Sequence, residues 1–362
     1  MSSSPGWVLV TDGGTGGSRD ALAATRALHA AGYLVALTVS GSSWPAPSRF
    51  ASRRVHVPPA TADGYAPAVH AELERRRYDA VVPASERALA ALGLAPAHLL
   101  DKAELAVQAR SAGLQVPPEE TFASTDALLT AGPGLDYPVV VKPRTRRYLA
   151  FRAETSEDLR QAPPEGGPVV VQPFVEDSLH AVSGVVAQGR LVAVVHERWL
   201  RIWPYPCGLA CAAETTVGDL DVEDRLAGLL RGYEGIFCAQ FVGPYVIDVN
   251  LRIHSSHPLA VAAGVNLVAV ACDVARGEAV AMRRAAPGFF YRWLEGDLRH
   301  VAHALRAGRM SLVQATRALT PRRGAAHSTE SLRDPGPMLS RLWYSARRAH
   351  LSADERRVGA LR

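Results

Sequence analysis

FCAQFVGPYVIDVNLR, residues Phe237–Arg252, is the stretch on which the fold turns. Two β-rich apolar runs flank Gly243 and Pro244, the composition of a tight hairpin turn. Across that hairpin Gln240 and Phe241 are expected to face Asp248 and Asn250. Strand side chains alternate, so positions 248 and 250 share one face and Arg252 follows on the same side. Hard oxygen donors at such spacing suit Mg²⁺, which takes few protein ligands and fills its octahedron with water and phosphate oxygens. An arginine two residues further on is placed for a phosphoryl oxygen or an oxyanion.

Working outward, GVVAQGRLVAVVHER (184–198) reads as a second hairpin, preceded by the apolar strand PVVVQPFVED (168–177). Before these comes PVVVKPR (138–144), a valine strand with Lys142 near its end, and before it an amphipathic helix over Leu99–Gly113 with Lys102 in its first turn. The amino-terminal part alternates WVLVTD (7–12), a glycine-rich loop, a helical stretch closed by Gly32, YLVALTVS (33–40), RRVHVPPA (53–60), a helix near Ala66–Arg77 and YDAVVPAS (78–85). That alternation predicts a doubly wound parallel α/β domain. Its loop has Gly14 and Gly16 but Arg19 where a dinucleotide fingerprint needs its last glycine, which argues against NAD.

The 362 residues predict two to three domains of about 150 residues each. With 48% hydrophobic and 21% charged residues, disorder and a disulfide scaffold are excluded. The most apolar segment, Leu259–Cys272, would span only ~21 Å as a helix, too short for a bilayer, and predicts a buried core helix with no membrane insertion. The start lacks the features of a secretory signal and the four cysteines show no framework spacing, so a cytoplasmic location is expected. Neither His254-x-x-His257 nor Cys207-x-x-x-Cys211 completes a standard zinc set.

Charge is unevenly spread. Residues 283–362 hold sixteen arginines against six acids, net +10, so the preceding chain carries net −5. With few aromatics interleaved, this tail reads as solvated helical surface rather than a nucleic-acid footprint. Of the 40 basic residues only Lys102 and Lys142 are lysines. A compact ammonium approaches a phosphate as a point charge where the broad guanidinium is a poor substitute, which singles out both for that role.

The ordered set, Lys102 on a helix, VVVKP at Lys142, VVVQPFVED and a hairpin ending in Asp248-x-Asn250-x-Arg252, resembles the ATP-grasp superfamily, above all its carboxylate–amine ligases, over residues 7 to about 282. The resemblance implies an α/β and α+β chain: an N-terminal doubly wound parallel-sheet domain (1–98), an ATP-grasp fold of two subdomains (99–167 and 168–282), and a helical C-terminal extension (283–362). It implies ATP and Mg²⁺ as cofactors and small-molecule carboxylate and amine substrates, joined through an acyl phosphate with release of ADP and phosphate. Lys102 and Lys142 would hold phosphates, Gln172, Phe174 and Val175 the adenine edge, Asp248 and Asn250 with Gln240 the metal, and Arg252 the developing charge.

Several positions depart from the family's pattern. Gln240 stands where a carboxylate is usual, Leu251 replaces a common proline, and the loop RTRRYLAF (144–151) has no glycine, so Arg144, Arg146 or Arg147 would take its place. Leu179 falls near a ribose-binding glutamate, which turns attention to Glu176 or Asp177. For substrates the candidates are Glu197, Arg198 and Arg201, the loop His254, Ser255, Ser256 and His257, and, for the amine, Ser85 and Glu86. The tail reads as two or three helices broken at Gly308, Pro321 and Pro335, open to covering the site, binding an anionic acceptor or forming a homodimer. The alternative functions are a small-molecule kinase on the same fold and a non-catalytic nucleotide-binding or scaffold protein.

Overall fold

The protein is described from a computed structural model covering residues 6–14, 16–145 and 148–349. Trp7–Thr11, Leu34–Val39 and Ala80–Pro83, short runs apolar on both faces, join the polar edge strand Arg53–His56 in one all-parallel sheet in the order 53–56, 34–39, 7–11, 80–83. The helix Arg19–Ala30 starts where the Ser18 side chain accepts from the Ala21 amide. Its Ala21, Ala24 and Leu28 share a core with Val8, Val35 and Leu37, and also with Leu267 and Val268 further along the chain. The apolar segment 259–272 is buried as expected, but as two helices, His257–Ala262 and Leu267–Ala275, because Gly264 turns at φ +92° and Asn266 caps the second.

The second sheet is antiparallel, with Glu120–Phe122, Val169–Pro173, Val139–Pro143 and Phe151–Ala153 side by side in that order. A division at 167/168 therefore fails, since Val169–Pro173 pairs with Val139–Pro143 and lies in the same sheet; the boundary moves past Pro173. The largest sheet has eight strands, built on Leu179–Ala187, Arg190–Trp203, Leu209–Thr215, Gly235–Val242 and Tyr245–Asn250. Its first hairpin turns on Gln188 and Gly189, both at positive φ, as a two-residue turn between twisted strands requires. At the next turn, Gly243 is at φ +52° and a Cβ there would come within 2.4 Å of Asp177.

The C-terminal region is not a separate helical extension. Arg283–Arg284, Phe290–Arg292 and Ala326–His327 are strands of the large sheet, and only between and after them come the helices Leu294–Arg306, Leu312–Leu319 and Pro335–Ala349. The fully buried Tyr291 and the buried Phe290 and Trp293 supply the apolar side that a helix-only reading overlooks. Among the described residues no helix is long and apolar enough to cross a membrane.

Two ionic clusters fasten this region. Asp297, wholly buried, pairs with Arg201 (2.5 Å) and Arg292 (3.1 Å), and both arginines donate to carbonyls at the end of Leu312–Leu319, where cations oppose the helix dipole. Asp334, also wholly buried, accepts from Arg26 (2.9 Å), from the Ser48 hydroxyl (2.8 Å) and from the Arg49 amide (3.0 Å). Asp297→Ala would leave two largely buried guanidinium groups without a counter-charge and is expected to cost about 3–5 kcal/mol of unfolding free energy in a urea melt; a loss below about 1 kcal/mol would class the cluster with surface pairs.

Candidate active site between two sheets

Lys142 ends the strand Val139–Pro143 and is 7% exposed. Its Nζ donates to Gln172 Oε1 (2.7 Å) on the neighbouring strand and to the Ile247 carbonyl (3.0 Å) on the large sheet. Gln172 is held with its carbonyl toward Lys142 because its Nε2 donates to Glu119 (3.1 Å). Burial pulls the Lys142 ammonium down to about 8, with the Asp248 charge opposing that shift.

The helix carrying Lys102 is two elements: Ala97–Leu100, then Lys102–Ser111 with Asp101 as its N-cap. Arg144 Nε donates to both oxygens of Asp101 (2.8 and 2.6 Å), and the Lys102 amide donates to the Arg144 carbonyl (2.9 Å). The chain just after Lys142 is thereby tied to the helix start that carries Lys102. Of the arginines expected to replace a glycine loop, Arg144 has this anchoring role; Arg146 and Arg147 lie outside the described residues. Lys102 Nζ reaches Asp248 Oδ1 (2.8 Å), and Asn250 Nδ2 donates to Asp248 Oδ2 (3.0 Å).

Gln240 stands opposite Asp248, but Phe241 pairs with Val246, and Cys238 rather than Phe241 is opposite Asn250. Regular antiparallel register puts Cys238 opposite Asn250 once Gln240 faces Asp248, and the register shift between Gln240 and Phe241 sets Phe241 against Val246 instead of Ile247. Arg252 is buried; Nη1 donates to Asp20, from the helix after the glycine loop, and to the Ile253 carbonyl (2.8 Å). Between these groups runs a cleft with an empty volume of about 1120 Å³, which Lys102, Lys142, Gln172, Phe174, Val175, Gln240, Asp248 and Arg252 all line. Leu179 and Trp199 add an apolar wall, and the guanidinium of Arg152 lies 4.0 Å over the Phe174 ring.

Other expected site residues lie elsewhere. Asp177 is exposed, accepts from its neighbour Ser178 and does not line the cleft; Glu176 is exposed too. Arg198 is on the outer face, paired with Glu214 (2.5 Å). Arg201 would alternate back to the cleft, but a register shift between Trp199 and Arg201 turns it the other way, onto Asp297, and Ile202 takes the cleft position. Ser255 is buried and His254 half-buried, and neither lines the cleft. Ser256 Oγ donates to Glu197 Oε1 (2.9 Å), so His254 must give its Nδ1 proton to Ser256 (2.7 Å). Burial, reinforced by His257 and Arg252, pushes His254 down to about 3 and keeps it neutral.

Glu197 also accepts from Trp199 Nε1 (2.9 Å), so it braces the cleft wall against the loop after Arg252. Trp199, Tyr148, Cys207 and Asp20 were not singled out in the sequence. Trp199 could have been found from strand period, two residues from Glu197, whereas nothing local marks Asp20 as the partner of a residue 232 positions away. Ser85 caps a helix by accepting from Ala88 (3.1 Å), and Glu86 lines a neighbouring chamber.

No family model and no curated protein matches this sequence. Solved structures do match in fold. The L-amino acid ligase from Bacillus licheniformis is 15% identical, with 76% of this chain and 75% of that one covered at TM-score 0.58. The N5-carboxyaminoimidazole synthetase from Staphylococcus aureus, solved with ADP, is 14% identical over 77% and 79% of the two chains at 0.57. The biotin carboxylase domain of the Hydrogenobacter thermophilus 2-oxoglutarate carboxylase, solved with MgADP and bicarbonate, is 16% identical over 78% and 73% at 0.57.

A lysine whose ammonium is depressed from 10.5 to about 8 burdens the folded state fully below pH 8, and the burden vanishes above 10.5, where the side chain is neutral in both states. The stability of Lys142→Met relative to the parent is therefore expected to fall as pH rises from about 8 to 10.5, followed by denaturant midpoints across that range. A constant difference would show that Lys142 titrates as it does in water.

Proposed function

Starting from the ATP-grasp fold that this chain shares with those structures, we propose an ATP- and Mg²⁺-dependent ligase that joins a carboxylate to an amine through an acyl phosphate. One observation carries the reading: Lys142 is a buried cation whose hydrogen-bond acceptors are a neutral amide and a carbonyl, in a cleft where Lys102 meets Asp248. Such an ammonium is under-compensated without an anion, and a triphosphate supplies one.

Lys102 and Lys142 would meet the phosphates from the same side of the cleft, facing the Asp248 hairpin, and Phe174, Val175 and Leu179 would form the apolar slot for the base. Asp248 and Asn250, with Gln240 across the hairpin, offer oxygen donors that fit a single Mg²⁺. When bound, that ion neutralises phosphate charge. Asp248, which accepts from Lys102 and Asn250, would be shared with that ion, leaving Lys102 able to turn toward phosphate. The substrate carboxylate attacks the terminal phosphorus as the bond to ADP breaks. The neutral amine nitrogen then forms the C–N bond as the C–O electron pair departs with phosphate, which also takes up the proton that nitrogen loses. Arg252, fixed by Asp20, offers its charge to the oxygens on which negative charge develops. Positioning and electrostatics suffice, and no nucleophilic side chain is involved.

Two experiments test this. Millimolar Mg-ATP is expected to raise the thermal midpoint, since a ligand at 100 times its Kd adds about 2.7 kcal/mol. Lys142→Ala should lose the shift, and Asp248→Asn should respond alike with and without magnesium. Pools of carboxylates with ATP and hydroxylamine should yield hydroxamate and ADP in equal amounts. ADP release that is indifferent to amines, with a stable phosphorylated product, would make the protein a kinase. A nucleotide-binding protein that releases no ADP with any pool would overturn the ligase reading.

A further inference from the structure

The pairing of the large sheet sorts its cleft face into rows. Leu179 stands opposite Val242 on one side and Trp199 on the other. One step along the same face, Ala181 stands between Gln240 and Glu197, and Gln240 is opposite Asp248. The residues between these rows point the other way, as strand alternation requires: His180 and Phe241 stack on one another, and His180 lines a separate cavity with His196. The cleft face is therefore banded, with a polar row that ends in Asp248 and, beside it, an apolar row of Val242, Leu179 and Trp199. All three apolar residues line the cleft.

These bands decide what a nucleotide meets. Lys102 and Lys142 reach Asp248 and the Ile247 carbonyl, so the phosphate end lies at the polar row. Phe174 and Val175, the slot for the base, lie on the link that leads into Leu179–Ala187. The sugar joins base to phosphates and has to cross the apolar row.

That row offers carbon contact and no hydrogen-bond partner. Its one polar side-chain atom, Trp199 Nε1, already donates to Glu197 (2.9 Å). Glu176 and Asp177 are exposed and line no part of the cleft. The other polar side chains of the cleft, among the described residues, are placed differently. Gln172 is held by Lys142 and Glu119, and Tyr148 and Arg252 stand where the cleft opens on a second chamber at the carboxyl ends of Trp7–Thr11 and Ala80–Pro83. Cys207 offers a thiol, a weak partner for a hydroxyl.

We propose that the cleft takes adenosine triphosphates without reading their sugar hydroxyls, so that ribose, deoxyribose and dideoxyribose forms are alike to it, and that Leu179 sets this indifference. The inference rests on the ATP reading of the cleft and adds which nucleotides it accepts. A site built to hydrogen-bond a hydroxyl rejects the analogue that lacks it by about 10⁴–10⁵, because its own polar groups are left unpaired. An apolar row has no such groups to strand.

The test is a calorimetric titration of the full chain, without carboxylate or amine, using the magnesium complexes of ATP, 2′-deoxy-ATP, 3′-deoxy-ATP and 2′,3′-dideoxy-ATP. Each analogue is expected to bind within about threefold of ATP, or more tightly. Leu179→Gln, which sets an amide into the row, should make ATP about fivefold preferred over the dideoxy compound. If that variant does not fold, the parent's constants decide alone. Binding of the dideoxy compound more than about threefold weaker than ATP in the parent, or a folded Leu179→Gln with an unchanged ratio, would overturn the inference and leave the ATP reading standing. Binding of none of the nucleotides would remove the ATP reading and this inference with it.

Discussion

A lysine ammonium buried without a carboxylate among its hydrogen-bond acceptors is the constraint around which the cleft is arranged. Removing a cation from water is costly, and dipoles alone offset it incompletely. The two acceptors that Lys142 does have come from different sheets, Gln172 on Val169–Pro173 and the Ile247 carbonyl on Tyr245–Asn250. The side chain therefore crosses the cleft as well as lining it. Lys102, from the helix Lys102–Ser111, crosses it too, to Asp248. The groups that would take the nucleotide are the same ones that hold the empty walls together, so binding exchanges internal contacts for ligand contacts instead of adding ligand to a finished cavity.

What could be read from the sequence was what depends on local order. The scarcity of lysine isolated Lys102 and Lys142, and strand period placed Asp248 opposite Gln240. Both reach the cleft, with Asn250 bonded to Asp248. Where a strand slips by one residue, alternation misleads: the shift at Trp199/Arg201 sent Arg201 to Asp297; Phe241 was misplaced for a simpler reason, since antiparallel pairing runs backwards and sets Cys238 opposite Asn250. The polar loop after Arg252 looked like a binding surface because its residues are polar, yet packing makes it a brace, with Ser256 bridging His254 and Glu197. The tail's arginines concealed three short strands, since two or three residues carry no detectable period.

Arg252 stands where three spaces meet: the nucleotide cleft, the chamber at the end of the parallel sheet, and an apolar cavity behind Leu251 and Ile253. Its partner, Asp20, belongs to the amino-terminal sheet unit, whereas its own backbone continues the hairpin that carries Asp248 and Asn250. One ion pair thus aligns the parallel-sheet unit with the hairpin that lines the cleft. In a reaction governed by placement, errors of about an ångström at such a junction are costly.

The clamp on Asp334 sets an order in time as well as in space. Arg26 lies 308 positions before Asp334, so during synthesis it cannot acquire this buried counter-charge until the whole intervening chain has been made. The same holds for the strands at Phe290–Arg292 and Ala326–His327, which lengthen a sheet begun at Leu179. During synthesis the nascent chain must carry an incomplete sheet edge and an unpaired Arg26 at once. Contacts of such long sequence separation close slowly, because the entropy of the intervening loop is lost before the contact forms. The closing of these long-range contacts, rather than the folding of each unit in turn, is then the step that joins the units into one folded molecule.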